Sequence, residues 1–529
     1  MVTQIASSTS ASTFTLAVGD ELVVVDGVQI WRDASTVVTA SGSNQIFIGA
    51  GAAVLAFDPS FGVAVQLQNA TTQRSQIDIA AGGALQATGY AIDVQGGLGS
   101  IIINNGSVSS RDFAAIRLNG GDEDRVVNTG TLSGDISAIN IFTAGRIDNF
   151  GVASGEAYGI RAVGGGAAIV NTGEIIGASA VGLIGQFATL AHELINSGRL
   201  QGRVHAVQSD DQAAVIVNTG VFASASAGDA AVAHANNDAD RVYRLTNSGD
   251  ILSAGLAYDG SLATDLIENI GRILGRIDLG GGADLYLGRD GLVEGAVYGG
   301  GGADQLIGGA GQDELFGGAQ NDVLRGGAGD DVLRGGEDDD QIGGQGGADQ
   351  LFGDAGRDLL RGHAGDDSLS GGAGDDDLRG AGGDDALLGE DGVDVLRAGA
   401  GDDEAFGGAG GDDIRGHAGD DVIGGGRGAD LILGGRGDDT LTGGQFTDTF
   451  VMKRRNDDDV VTDFENGTDV IDLQAFGLRP AQYAAVVAPA LTNAGGGATF
   501  LDLAALGGQG SVLIQGLAFA DADASDFIL

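Results

Sequence analysis

An aspartate recurs every nine residues from Asp304 without a slip. The series is Asp304, Asp313, Asp322, Asp331, Asp340, Asp349, Asp358, Asp367, Asp376, Asp385, Asp394, Asp403, Asp412, Asp421, Asp430, Asp439 and Asp448. Two residues after each stands an apolar residue, such as Leu306, Leu324, Ile342 or Ile414. Two residues before it is Gly except at Gln320, Asp338 and Phe446, and five before it is Gly except at Ala398. A Gly-rich turn of about six residues followed by a short strand fits this period, since Gly takes up positive φ at little steric cost. A second nonapeptide returns the chain on the opposite side, so one coil spans 18 residues and coils stack about 4.8 Å apart. The aspartates then form two columns, one on each edge. Neighbouring carboxylates at that spacing repel by on the order of 3 kcal/mol at an effective dielectric of ~20. Summed along both columns, this exceeds the whole stability of an ordinary domain. Hard divalent cations between the coils invert the sign, and carboxylates with turn carbonyls make an all-oxygen shell that suits Ca2+ better than Mg2+. A flexible Gly/Asp linker would not explain the inward Leu and Ile.

GGAGDDVLR (Gly326–Arg334) and GGRGDDTLT (Gly434–Thr442) resemble the nonapeptide of the RTX, or hemolysin-type calcium-binding, proteins. The resemblance runs unbroken over residues 299–448, with an isolated partner upstream at Gly280–Gly282–Asp284–Tyr286. It implies a parallel β-roll that is unfolded without calcium, with the 17 aspartates as ligands beside turn carbonyls. The missing turn glycines at Gln320, Asp338 and Phe446 put the neighbouring sites in question. Phe450–Val451 and the alternating stretch Asp459–Gly477, with a turn at Asn466–Gly467, resemble the capping region that follows such repeats in substrates of type I exporters. Ser525–Leu529 (SDFIL) is similar to their uncleaved C-terminal signal. These likenesses imply passage through a type I ABC exporter, unfolded in low cytosolic calcium, and folding outside the cell on metal binding.

Composition narrows the function classes. The formal net charge is −47, with Lys453 the single lysine, so nucleic acid is not an expected partner. The absence of Cys excludes disulfides, thiolate zinc sites and thiol catalysis. No apolar run reaches the length of a membrane span, and the first residues (MVTQIASSTS) lack the basic and apolar regions of a secretory signal peptide.

The N-terminal half carries a looser repeat. Asn-x-Gly recurs at Asn104, Asn128, Asn149, Asn171, Asn196, Asn218, Asn247 and Asn269, each inside an alternating apolar stretch. Alternation reads as strand, and a period near 22 residues reads as one coil of a parallel β-helix. The asparagines would stack as an amide ladder. The pattern resembles the β-solenoid regions of bacterial adhesins. Extracellular β-helices joined to RTX repeats include alginate epimerases and polysaccharide lyases, so catalysis has to be weighed. Such chemistry gathers an acid and a base in a groove, whereas His192, His205 and His234 are scattered. Asp122, Asp124 and Arg125, and Asp210 and Asp211 near His205, read as solvated loop charge. No zinc-protease motif is present, nor the long apolar helical region of the pore-forming relatives.

On the roll, the third residue after each aspartate should point outward. One edge then presents Arg325, Arg361, Arg379, Arg397 and Arg415, broken by Gly343; the other presents Phe316, Phe352 and Phe406 with Arg334 and Leu388. Pairing of these arginines with local carboxylates such as Asp377 and Asp413 competes with a docking face for a second copy or an anionic surface sugar. The expected protein is all-β: first coils or a cap over 1–60, a parallel β-helix over 61–278, a calcium-loaded roll over 279–448, and a β-rich cap with export signal over 449–529. The expected function is that of a secreted, non-enzymatic, calcium-binding structural protein of the cell surface that self-assembles into a lattice, matrix or filament. A polysaccharide-active enzyme or a sugar-binding adhesin is the alternative.

Overall fold

The computed structural model describes residues 3–529 except 7–13, 18–19, 26–27, 33–35, 42–43, 57, 59–61, 69–73, 97–98, 120–122, 165, 185–190, 211–213, 235–240 and 456. The chain is nearly all β, and it divides into two units, Met1–Gly295 and Ala296–Leu529.

The first unit is a parallel β-solenoid. Strands Thr3–Ala6, Glu21–Val24, Gln45–Ile48, Gln76–Ile79 and Ile101–Asn104 pair in parallel, each with the next, so the first described residues are already coils. Inward side chains stack in one file: Ile77, Ile102, Val126, Ile147, Ile169 and Leu194 lie opposite one another in successive strands, none more than 2% exposed. Each such side chain contributes about 1.5–3 kcal/mol by leaving water. The Asn-x-Gly repeats form the predicted ladder. Asn149 Nδ2 donates to Asn171 Oδ1 at 2.7 Å, and Asn171 Nδ2 donates to Asn196 Oδ1 at 2.7 Å. The same link joins all eight asparagines from Asn104 to Asn269, every one fully buried. The Gly two residues on lets the coils close: a Cβ on Gly173 would stand 2.1 Å from the Gly151 carbonyl oxygen.

The second unit is a two-sheet parallel roll whose coil is 18 residues, since Leu324 pairs with Ile342 on one sheet and Leu315 with Leu333 on the other. Leu or Ile two residues after each aspartate, replaced by Ala405 and Phe450 after Asp403 and Asp448, fill the interior, at most 2% exposed. The division of the nonapeptide differs from expectation. Strands take six of the nine residues, as in Val323–Ala328 and Val332–Glu337, and the turn only three. A positive φ at the second position, held by Gly327 (121°) and equally by His363 and His417 (84° each), keeps strand pairing on both sides, so the ladder continues through what the sequence presents as turn.

After the roll, Asp458–Val461 and Val470–Asp472 extend the two sheets, with Gly467 at φ 79° in the connecting turn. Three antiparallel strands, Leu491–Gly495, Ala498–Asp502 and Ser511–Gln515, follow. Phe527 and Ile528 of the SDFIL segment pair with Ile471 and Asp472 and close the other sheet. An antiparallel layer at the end of a parallel stack covers an edge that would otherwise template further pairing.

Candidate calcium-binding columns

The seventeen aspartates stand in two single files. The backbone N–H of each donates to Oδ1 of the aspartate one coil on, from Asp304 to Asp322 (2.7 Å), Asp322 to Asp340 (2.7 Å) and so on to Asp448. The second file runs likewise from Asp313 to Asp439. One carboxylate oxygen is thereby fixed. From Asp313 to Asp448 the other, Oδ2, is buried and accepts no hydrogen bond among the described residues. A buried polar atom left in this way costs about 1–3 kcal/mol, more when charged.

These orphaned oxygens face a cradle. A Cβ on Gly353, five residues before Asp358, would lie 2.4 Å from Asp358 Oδ2 and 2.4 Å from the carbonyl oxygen of Gly371. Gly389 stands the same way to Asp394 Oδ2 (2.3 Å) and the Gly407 carbonyl (2.4 Å). Carboxylate and carbonyl oxygen thus share one space that Gly keeps open, and an all-oxygen donor set fits Ca2+. No three His, Asp or Glu side chains converge among the described residues, so backbone carbonyls must complete any coordination shell. At Asp403 the preceding position is Ala398, buried and bearing the methyl that the other coils lack.

Electrostatics agree with a cation bound at these carboxylates. Burial, and next to it the neighbouring aspartates, push the carboxyls of Asp322, Asp340 and Asp376 up to about 7. Burial pushes Asp367 and Asp412 up to about 6. The hydrogen bond from the preceding aspartate's N–H pulls the other way and does not win.

The three irregular turns keep their shape. Gln320, Asp338 and Phe446 hold φ of 77°, 75° and 88°, the conformation that Gly takes elsewhere. The strain is of order 1–3 kcal/mol each, and the ladder passes through all three coils unbroken. Sequence reasoning missed the downstream continuation. Asp439 N–H donates to Asp459 Oδ1 (3.3 Å) and Asp448 N–H to Asp469 Oδ1 (3.0 Å). Those steps are 20 and 21 residues, outside the nine-residue register, although the FENGTD turn was the visible signal.

The outward rows are largely engaged within the chain. Arg361, Arg379, Arg397 and Arg415 stack in register. Asp377 pairs with both Arg379 (2.6 Å) and Arg397 (2.7 Å), and Asp413 with Arg415 (2.7 Å). Arg325 and Arg361 form no ion pair among the described residues, and with Gly343 between them they flank a notch of about 410 Å3 that Gln341, Gln345 and His363 also line. The apolar row is interrupted rather than continuous. Phe316 stacks on Tyr298 (ring centroids 4.7 Å apart), Arg334 covers Phe352 at 4.6 Å, and Phe406 is 40% exposed beside Leu388.

In the first unit, His192 and His234 are core residues, 0% and 4% exposed, with burial lowering them to about 4 and about 3. His205 Nδ1 is 2.7 Å from the Ala230 carbonyl. The three histidines do not meet in a groove. Asp124 is buried, not solvated, and its Oδ1 accepts from Ser100 N–H (2.7 Å), while Arg125 reaches Asp148 (2.6 Å). Asp122 and Asp211 lie outside the described residues.

The columns, cradles and 18-residue coil define a calcium-binding β-roll. Residues 297–450 match the RTX calcium-binding nonapeptide repeat (4 copies) in overlapping stretches 297–324, 316–351, 352–387, 388–423 and 418–450. Residues 297–450 are therefore RTX calcium-binding repeats, in a chain that also carries a parallel β-helix. No curated protein matches its sequence. Among solved structures, the extracellular lipase LipA from Serratia marcescens is similar at 15% identity and a TM-score of 0.20, the match covering 40% of this chain and 40% of that one.

Proposed function

We propose that this is a secreted calcium-dependent structural protein of the bacterial surface, whose roll folds outside the cell and whose folded form assembles with further copies. The observation that carries the reading is the double file of buried carboxylates with unsatisfied Oδ2 atoms, from Asp313 to Asp448. Such a structure is stable only with several cations in place, so metal binding is folding free energy. A chain that stays unfolded in low calcium can be threaded through a type I exporter and locks on reaching millimolar calcium. No described helix is long and apolar enough to cross a membrane. The solenoid contributes a stack of coils joined by its asparagine ladder, and we assign it no catalysis. The notch between Arg325 and Arg361 is the place on the roll where an anionic surface sugar would dock.

Negative-stain electron microscopy of the purified chain with and without millimolar calcium tests the reading. Ordered sheets or fibres that appear only with calcium support it. Monodisperse particles under both conditions, with measurable cleavage or binding of alginate or pectin, would replace it by the polysaccharide-active alternative.

A further inference from the structure

We propose that Asp265 and Asp284, in the first unit and outside the matched repeats, hold a further calcium ion. Asp265 N–H donates to Asp284 Oδ1 at 2.7 Å across one coil, the same link that joins Asp304 to Asp322. The cradle is also repeated. A Cβ on Gly260, five residues before Asp265, would stand 2.5 Å from Asp265 Oδ2 and 2.0 Å from the Leu279 carbonyl oxygen. Its counterpart in the roll, Gly299, stands 2.3 Å from Asp304 Oδ2 and 2.7 Å from the Gly317 carbonyl. Gly280 and Gly282, four and two residues before Asp284, hold φ of 90° and 130°, as Gly327 and Gly329 (121° and 125°) do before Asp331.

Asp265 is 0% exposed, and its Oδ2 accepts no hydrogen bond among the described residues. Two other buried solenoid carboxylates have arginine: Asp93 pairs with Arg117 (2.7 Å), and Asp148 with Arg125 (2.6 Å) and Arg146 (2.8 Å), while Asp124 accepts from the Ser100 N–H (2.7 Å). Asp265 has instead the Tyr258 hydroxyl, which donates to its Oδ1 at 2.9 Å and lies 2.6 Å from His234 Nε2. Burial keeps that imidazole neutral. The donor set of two carboxylates and a main-chain carbonyl is all oxygen, which selects Ca2+ over a softer metal.

The proposal rests on the calcium reading of the repeats, so its test carries a roll control. Full-length protein is titrated with calcium to count bound ions, then with terbium under tyrosine excitation, since Tyr258 lies against the proposed site. Asp265→Asn, which still accepts from Tyr258, is expected to lower the calcium count by about one ion per chain and to remove most of the tyrosine-sensitised emission. Asp349→Asn in the roll should lower the count and spare the emission. If Asp265→Asn changes neither readout while Asp349→Asn lowers the count, the upstream site is overturned and the roll stands. If neither variant changes the count, the calcium reading of the repeats fails as well. Asp284→Asn, read in the same two ways, decides the question should Asp265→Asn not fold.

Discussion

The main-chain N–H of Asp322 donates to Oδ1 of Asp340 at 2.7 Å, one coil further on. This bond fixes the carboxylate in a buried site and leaves its second oxygen facing the space that Gly335 keeps open, where a Cβ would lie 2.1 Å from Asp340 Oδ2. Positioning and ligation are thus divided between the two oxygens of one side chain.

Two substitutions separate these roles. Asp340→Asn keeps an oxygen for the Asp322 N–H but loses the charge, so calcium affinity should fall while the metal-free chain is little changed. Asp340→Ala also strands the Asp322 N–H, a further cost of about 1–3 kcal/mol. Calcium titration followed by circular dichroism reads both. Equal midpoints for the two variants would remove the positioning role.

Calcium removal should act on the roll and spare the asparagine ladder of the solenoid. The aspartate files are charged, whereas the solenoid ladder is built of neutral amides. Hydrogen exchange of the intact chain in chelator is expected to show protection lost across residues 299–448 and kept around Asn128–Asn218. Retention of protection in the roll would contradict the central role of the metal.

Without calcium, the pH dependence should be inverted relative to the loaded protein. Burial raises the folded carboxyls of Asp340 and Asp376 to about 7. An acid raised on folding stabilises the fold when protonated. That contribution is complete below the ordinary carboxylate value and is lost as pH climbs through about 7. In chelator, the strand signal of the roll should therefore grow on acidification and fade at neutral pH. With calcium it should fade on acidification instead, because the ligands must be ionised to bind. Circular dichroism across both series checks the sign.

Asn171 sits mid-ladder, accepting from Asn149 and donating to Asn196, each at 2.7 Å. Asn171→Ala leaves the buried Asn196 Oδ1 without its donor, while Asn149 Nδ2 keeps the Gly151 and Glu174 carbonyls (3.2 Å each), a loss of about 1–3 kcal/mol by the usual cost per group. Thermal unfolding of the solenoid should shift downward, independently of calcium. An unchanged midpoint would make the ladder incidental.

Much of this was legible in the amino acids because a fixed period converts sequence offset into spatial neighbourhood. A nine-residue step placed the seventeen aspartates in two files, and the Asn-x-Gly recurrence placed eight amides in one. The turn at Phe446 was in doubt from sequence, yet it is kept at φ 88° because the coils on either side enforce it. The arginine row was predicted from the same offset, but only side-chain packing revealed that Asp377 serves both Arg379 and Arg397 and leaves Arg325 and Arg361 outside such pairs. Tertiary structure alone brought Asp265 to Asp284 and carried the files on to Asp459 and Asp469. Their coils are 19, 20 and 21 residues long. Strand pairing continues across these longer coils, Leu266 with Leu285, Thr440 with Val460 and Thr449 with Val470, so the carboxylates remain neighbours in space after the sequence has lost its beat.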